Sequence, residues 1–263
     1  MSFTRVSKSH PCPVCKKPDW CRVFADGWVE CMRVQSDQPA KSGGWMHSQR
    51  ELSPERLTPR VPQPAPPPTI NATKLMREWL AATPPAALIN YGAGLGLSSG
   101  ALAYVGAAWA EPHQAWAFPM CDGYGNIVGI RLRANDGRKW AVRGSKQGIF
   151  IGKAAWYPTL FVCEGPTDTA AALELGLFAV GRPNCCCGGA EIKVFARRHD
   201  CRRVVIISDN DKPGLDGARK VGGDLKLPFA VYVPPAKDVR EFVRLGGTRA
   251  MIENTLKGLI WQS

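Results

Sequence analysis

The chain has 263 residues, 45% of them hydrophobic and 21% charged, enough to bury a sizeable core in two or three modules. No apolar run approaches the roughly 20 residues that span a bilayer, and the polar N-terminus lacks the apolar core of a secretory signal, which excludes a membrane partner and points to the cytoplasm. The formal charge of +12 favours a polyanionic ligand whose counterions clustered Lys and Arg displace, and ten cysteines in a reducing compartment argue for metal ligation or burial rather than disulfides.

Residues 1–50 form a head with few apolar side chains. Cys12-Pro-Val-Cys15 is a knuckle-type pair, followed by Cys21 and Cys31 and flanked by His10 and His47. Two thiolates two residues apart reach one ion, and tetrahedral zinc needs four N or S ligands. The expected set is Cys12, Cys15, Cys21 and Cys31, with either histidine as the alternative to Cys21. A head this poor in apolar residues needs such a staple to fold.

Proline dominates residues 51–70, ending in Pro64-Ala-Pro-Pro-Pro68. This composition neither donates to a sheet nor continues a helix, and it predicts a stiff, extended linker. A small α+β subdomain is expected over 71–157. Asn71 to Ala82 reads as a capped helix with Leu75, Met76, Trp79 and Leu80 on one face. Tyr91-Gly-Ala-Gly-Leu-Gly96 superficially suggests a phosphate loop, but no Lys-Ser/Thr pair follows. It is therefore expected to be a structural turn, and the chain carries no nucleotide-driven motor.

Alternation in Ala115–Met120, Ile127–Arg133 and Lys139–Arg143 predicts an antiparallel sheet with glycine turns. Arg131 and Arg133 are two residues apart and so share one strand face. Lys139, Arg143 and Lys146 extend this basic track.

After Pro158 the pattern becomes strand and helix in turn: strand 159–163, helix 167–176, strand 178–181, helix 189–199, strand 203–208, helix 214–225, strand 229–233, and helices near 239–245 and 248–260. This defines an α/β domain over 158–263 with a parallel sheet flanked by helices. Two of its apolar runs stop at carboxylates: Leu160–Cys163 at Glu164-Gly-Pro-Thr-Asp168, and Val204–Ser208 at Asp209-Asn-Asp211. Such acids stand at the carboxyl edge of a buried parallel sheet, where α/β folds bind ligands. Asp209 and Asp211 point the same way in an extended segment, and convergent hard oxygens suit magnesium or manganese. Cys185-Cys-Cys187 lacks spaced partners and reads as loop or partly buried thiol.

Glu164-Gly-Pro-Thr-Asp168 and Asp209-Asn-Asp211-Lys-Pro-Gly214 resemble the two signature motifs of the Toprim domain, shared by bacterial-type primases, topoisomerases, certain nucleases and recombination mediators. Lys237-Asp-Val-Arg-Glu-Phe-Val243 resembles the primase segment after the last strand. The basic segment 129–150 resembles the primase subdomain before Toprim, and the head resembles the zinc ribbon of phage and mobile-element primases.

The resemblance implies a DNA primase making short RNA primers on single-stranded DNA by metal-dependent nucleotidyl transfer, for a phage, plasmid or mobile element. Its partners would be template DNA, ribonucleoside triphosphates and a separate replicative helicase. Glu164, Asp209, Asp211 and Asp238 would hold the metal, with Glu164 alternatively a general base and Asp168 orienting or assisting. Arg131, Arg133, Lys139, Arg143, Lys146 and Lys212 would contact nucleic acid or nucleotide, while Arg22, Arg33, Trp20 and Trp28 of the ribbon would contact phosphates and stack on bases. The same resemblance leaves a non-catalytic recombination mediator and a Toprim nuclease as alternatives.

Overall fold

A computed structural model describes residues 2–49, 70–184 and 187–262, in two compact units, Met1–Pro67 and Pro68–Ser263. The expected proline-rich linker lies outside the described residues except for Ile70, as do Cys185 and Cys186. No described helix is long and apolar enough to cross a membrane.

In the first unit four short antiparallel strands, β1 (Phe3–Arg5), β2 (Arg22–Phe24), β3 (Trp28–Cys31) and β4 (Trp45–Ser48), lie in sequence order. The buried cluster beneath them is Cys12, Val14, Cys21, Val29 and Cys31. Three of those five are cysteines, so the apolar core is too small to account for the fold by itself.

The second unit begins with α1 (Ala72–Ala82), α2 (Pro85–Leu95) and α3 (Ser99–Tyr104). Asn71 caps α1 by accepting from the Lys74 N–H at 2.9 Å, and Met76 and Trp79 are buried on the inner face. The segment expected to be a turn, Tyr91–Gly96, is instead mostly the last part of α2; only Gly96, at φ +71°, leaves the helix as its left-handed cap. Helical glycine costs about 1 kcal/mol relative to alanine. At Gly92 close packing requires it, since a Cβ would stand 2.6 Å from the Leu97 carbonyl oxygen.

The antiparallel sheet follows as a meander of β5 (Ala108–Ala110), β6 (Ala115–Cys121), β7 (Ile127–Arg133) and β8 (Lys139–Ala141). Helix α1 covers it, with Met76 and Trp79 packed among Ala108, Ala117, Ile130 and Leu132.

The second sheet has the order β13-β12-β10-β11-β9, from β9 (Phe150–Ile151), β10 (Thr159–Glu164), β11 (Ala179–Arg182), β12 (Arg203–Ile207) and β13 (Phe229–Tyr232). Its pairings are parallel except for the β9 edge. Between and after these strands come α4 (Pro166–Glu174), α5 (Gly189–Arg198), α6 (Lys212–Leu225), α7 (Val239–Arg244) and α8 (Arg249–Leu256).

The strand sequences are apolar throughout because both faces are covered. Leu160, Val162, Val204 and Ile206 pack toward α5 and α6, while Phe161, Cys163, Val205 and Ile207 pack toward α4, α7 and α8. Alternation of side chains along each strand thus feeds two cores.

Candidate active site and metal centre

Strands β10, β11 and β12 end side by side, and this shared carboxyl edge carries the acids. Glu164 is the last residue of β10 and pairs in register with Arg182, the last residue of β11. Its Oε2 lies 3.6 Å from the fully buried Arg182 guanidinium. Sequence reading missed Arg182, although a cation closing the apolar run Ala179-Val-Gly-Arg182 is the signal that marks it. Gly181 is required here: a Cβ would lie 2.1 Å from Thr169 Oγ1 and 2.8 Å from the Gly165 carbonyl oxygen.

Asp168 sits in the first turn of α4. The residue keeps partial exposure, but its Oδ1 is shielded from solvent and has no hydrogen-bond partner among the described residues. Burial, reinforced by Asp238 and Asp209 and opposed by Arg240 and Arg133, raises its carboxyl to about 7. Asp209 follows β12 and is half-buried; burial, then Glu164, Asp238 and Asp211, raise it to about 6 against the pull of Arg182.

The loop after β12 is tied across the edge where Asn210 N–H donates to the Lys237 carbonyl at 2.9 Å. That bond brings the Asp209 loop beside Asp238. Asp211 is exposed and caps α6, its Oδ1 accepting from Gly214 N–H at 2.7 Å. Asp238 is buried and uses both oxygens internally: Oδ1 accepts from Glu241 N–H at 2.7 Å as the cap of α7, and Oδ2 pairs with Arg240 at 3.1 Å.

Among the described residues no three acids bring oxygens within 4.8 Å of one another, a closeness that the cysteines of the head do reach. Two of the expected metal-binding acids are thus also helix caps, a role the sequence reading had not given them.

The expected basic track divides. Lys139, Arg143, Lys146 and Lys212 are exposed. Arg131 and Arg133 are half-buried instead, and both reach to the acidic edge: Arg131 Nη2 donates to the Pro183 carbonyl at 3.5 Å, and Arg133 Nη1 to Thr167 Oγ1 at 3.2 Å. Burial lowers the pKa of Arg131 from its ordinary value. Two cations thus face the carboxylates from β7, an arrangement suited to gripping a phosphate beside a cation.

In the head, Cys12, Cys15, Cys21 and Cys31 bring all four sulfurs within 4.8 Å of one another. Cys15 and Cys21 sulfurs are 3.7 Å apart, and those of Cys21 and Cys31 are 4.0 Å apart. A tetrahedral ion with bonds of about 2.3 Å separates its sulfurs by about 3.8 Å, so the set fits zinc. The N–H groups of Met32, Arg33 and Val34 donate to Cys21 or Cys31 sulfur at 3.3–3.5 Å, bonds that favour thiolates. The thiol of Cys31 is lowered chiefly by its bond with Cys12. That same bond and burial raise Cys12 to about 12, while burial raises Cys21 to about 11.

Neither histidine joins this set. His47 Nε2 lies 3.0 Å from the Val34 carbonyl oxygen, and exposed His10 meets Ser9. Trp20 is 77% exposed, with the Arg33 guanidinium 5.3 Å from its ring centroid. Cys187 is a half-buried free thiol.

No family model and no curated protein matches the sequence. Solved structures do match in fold. A DnaG catalytic core shares 18% identity over 72% of this chain and 79% of its own, with a TM-score of 0.55. A DNA primase domain from Pseudomonas aeruginosa shares 16% over 72% and 79%, TM-score 0.55. A DnaG primase catalytic domain bound to single-stranded DNA shares 18% over 72% and 79%, TM-score 0.53. The mixed α/β fold, with its mostly parallel sheet, is therefore that of primase catalytic cores.

Proposed function

We propose that this chain is a DNA primase of the Toprim type, synthesising short RNA primers on single-stranded DNA by metal-dependent nucleotidyl transfer. The observation that carries the reading is the meeting, at one sheet edge, of Glu164, Asp168, Asp209 and Asp211 with Arg131 and Arg133 of the neighbouring sheet. A structure of similar fold, the DnaG catalytic domain, was solved with single-stranded DNA. The phage, plasmid or mobile-element setting belongs to this reading through the ribbon-like head.

The residues fit a hard divalent cation. Glu164 Oε2 and Asp168 Oδ1 are buried carboxylate oxygens without hydrogen-bond partners among the described residues, and burial, followed by repulsion from Glu164, Asp238 and Asp211, holds Asp209 near 6. Glu164, Asp209 and Asp211 would hold magnesium or manganese, which would supply charge neutralisation at the reacting phosphate and leaving pyrophosphate. Asp238, with both oxygens engaged, contributes its charge from behind that set.

The chain's own work is positioning. Arg131 and Arg133 bind phosphate oxygens, Arg182 holds Glu164 at the strand end, and the Asp211 cap fixes the loop that presents Asp209. In the alternative role, Glu164 would accept the proton of an attacking hydroxyl instead of holding the metal. In the head, Cys12, Cys15, Cys21 and Cys31 would hold structural zinc, leaving Trp20, Trp28, Arg22 and Arg33 to meet template.

The test is incubation of the protein with single-stranded DNA, labelled ribonucleoside triphosphates and magnesium. Short oligoribonucleotides dependent on template and magnesium are expected. Template degradation without synthesis would replace the primase by a nuclease, and binding without either reaction would replace it by a mediator.

A further inference from the structure

Beside the acidic edge, within the second unit, lies a cleft of about 820 Å³ between helices α1 and α2 and the antiparallel sheet. Aromatic rings line it. Tyr91 stacks on Trp116 with centroids 4.2 Å apart and planes 7° from parallel, and Trp109 meets Trp116 edge-on at 5.5 Å. Trp79 closes the helix side. Trp79 and Trp116 are buried, whereas Tyr91 and Trp109 remain partly open to the cleft.

Three polar features make this more than a gap in packing. The Tyr91 hydroxyl is buried and has no hydrogen-bond partner among the described residues, and burial raises it to about 12, so it remains a protonated donor at neutral pH. Asn90 and Asn135 line the opening with exposed side chains. Arg133 lines the same cleft while donating to Thr167, one residue before Asp168. The cleft therefore offers flat rings, donors and acceptors suited to a heterocycle edge, and a cation at the end nearest the acids.

We propose that this cleft is a nucleobase site: an unstacked base enters against Tyr91 and Trp109, its edge read by Asn90 and Asn135, and its phosphate held by Arg133 toward the carboxylates. The volume falls in the range of about 300–1,000 Å³ usual for small-molecule sites. Base–aromatic stacking is sequence-tolerant and its loss weakens binding roughly tenfold to a hundredfold per base. An incoming nucleotide and a flipped template base present the same chemistry. The orientation toward the acids rests on the primase reading, whereas the base site itself does not.

The experiment measures equilibrium binding to the full-length protein without added divalent ion, so that no chemistry is required. The probes are ATP, a single-stranded oligonucleotide, and the same oligonucleotide made abasic. Trp109→Ala should weaken ATP or the intact oligonucleotide about tenfold or more while leaving the abasic strand unchanged. Asn90→Ala, at the exposed opening, should weaken the same probe severalfold; its circular dichroism and melting should match the parent, guarding against an effect of misfolding.

Loss confined to ATP assigns the site to incoming nucleotide, and loss confined to the oligonucleotide assigns it to template. Equal binding of all probes by parent and both variants overturns the base site. Those losses, if seen in a protein that makes no primers, would overturn the primase reading and leave the base site standing.

Discussion

Asp168→Asn tests the electrostatics of the acidic edge without touching its packing, since the amide is nearly isosteric with the acid. In the folded chain the carboxyl is raised from 3.8 to about 7 by burial and by Asp238 and Asp209. Unfolded, it would be ionised throughout the neutral range, so between these values the native state holds one proton more than the unfolded state. Stability from this group is therefore fully present below about pH 4 and is lost as pH rises through about 7. At about 1.36 kcal/mol per unit, a rise of some three units is worth roughly 4 kcal/mol, about half of it spent between pH 5.5 and 7.

Asp209, raised to about 6, adds a loss in the same direction that is mostly complete by pH 6.5. The clean window is thus pH 6.5–7.5. Urea unfolding of residues 70–263 in that window should show the parent losing stability with pH while Asp168→Asn stays nearly flat. At pH 8 the variant should be the more stable of the two by a few kcal/mol. Magnesium should stabilise the parent more than the variant, because it relieves the repulsion that the amide has already removed. An unchanged slope in Asp168→Asn, or a variant less stable than the parent at pH 8, would refute this account.

Asp209→Ala with Asp211→Ala should reduce primer synthesis at least a hundredfold, with the fold retained by circular dichroism; loss of the Asp211 cap should cost about 1 kcal/mol in melting experiments. Arg131→Ala with Arg133→Ala should weaken single-stranded DNA or nucleotide binding and lower the slope of log affinity against log salt by about one to two, as two phosphate contacts disappear. Purified protein should carry about one zinc per chain by elemental analysis, and Cys12→Ala should release it and unfold the head. A metal-free parent would remove the zinc assignment.

Much of the second unit was legible because its strands are short and apolar and each ends in a turn or an acid. The predicted run from 159 to 260 matches β10 through α8 to within a few residues, the last helix ending at Leu256. The missed elements lacked such punctuation. Helix α2 contains Gly92 and Gly94 and shows little amphipathic contrast, so glycine masked it, while β5 and β9 have only three and two residues.

At the site, local sequence placed Glu164, Asp209 and Asp211 at strand ends, because chain direction alone decides that. What it could not show depends on contacts across the fold. Arg182 meets Glu164 only because β10 and β11 are in register, and Arg131 and Arg133 turn from a solvated face to the acids because the two sheets adjoin. Trp79, Tyr91, Trp109 and Trp116 come from two helices and two strands, and read individually each is an ordinary core aromatic.

The charge balance of this edge suits the two tasks that the proposed function gives it. Five acids, Glu164, Asp168, Asp209, Asp211 and Asp238, face four arginines, Arg131, Arg133, Arg182 and Arg240, in a chain whose formal charge is +12. If the acids served only to pair with the arginines, their carboxyls would be held low; instead burial first, and then the neighbouring carboxylates, raise Asp168 and Asp209 by more than the arginines offset. Two of those arginines are fixed to the acids themselves, Arg182 on Glu164 and Arg240 on Asp238. Arg131 and Arg133 hydrogen-bond instead to a carbonyl and a hydroxyl, neutral partners that a phosphate would displace. An edge with surplus carboxylate on one side and arginines on neutral partners on the other can accept a cation and a phosphate together, each easing the binding of the other.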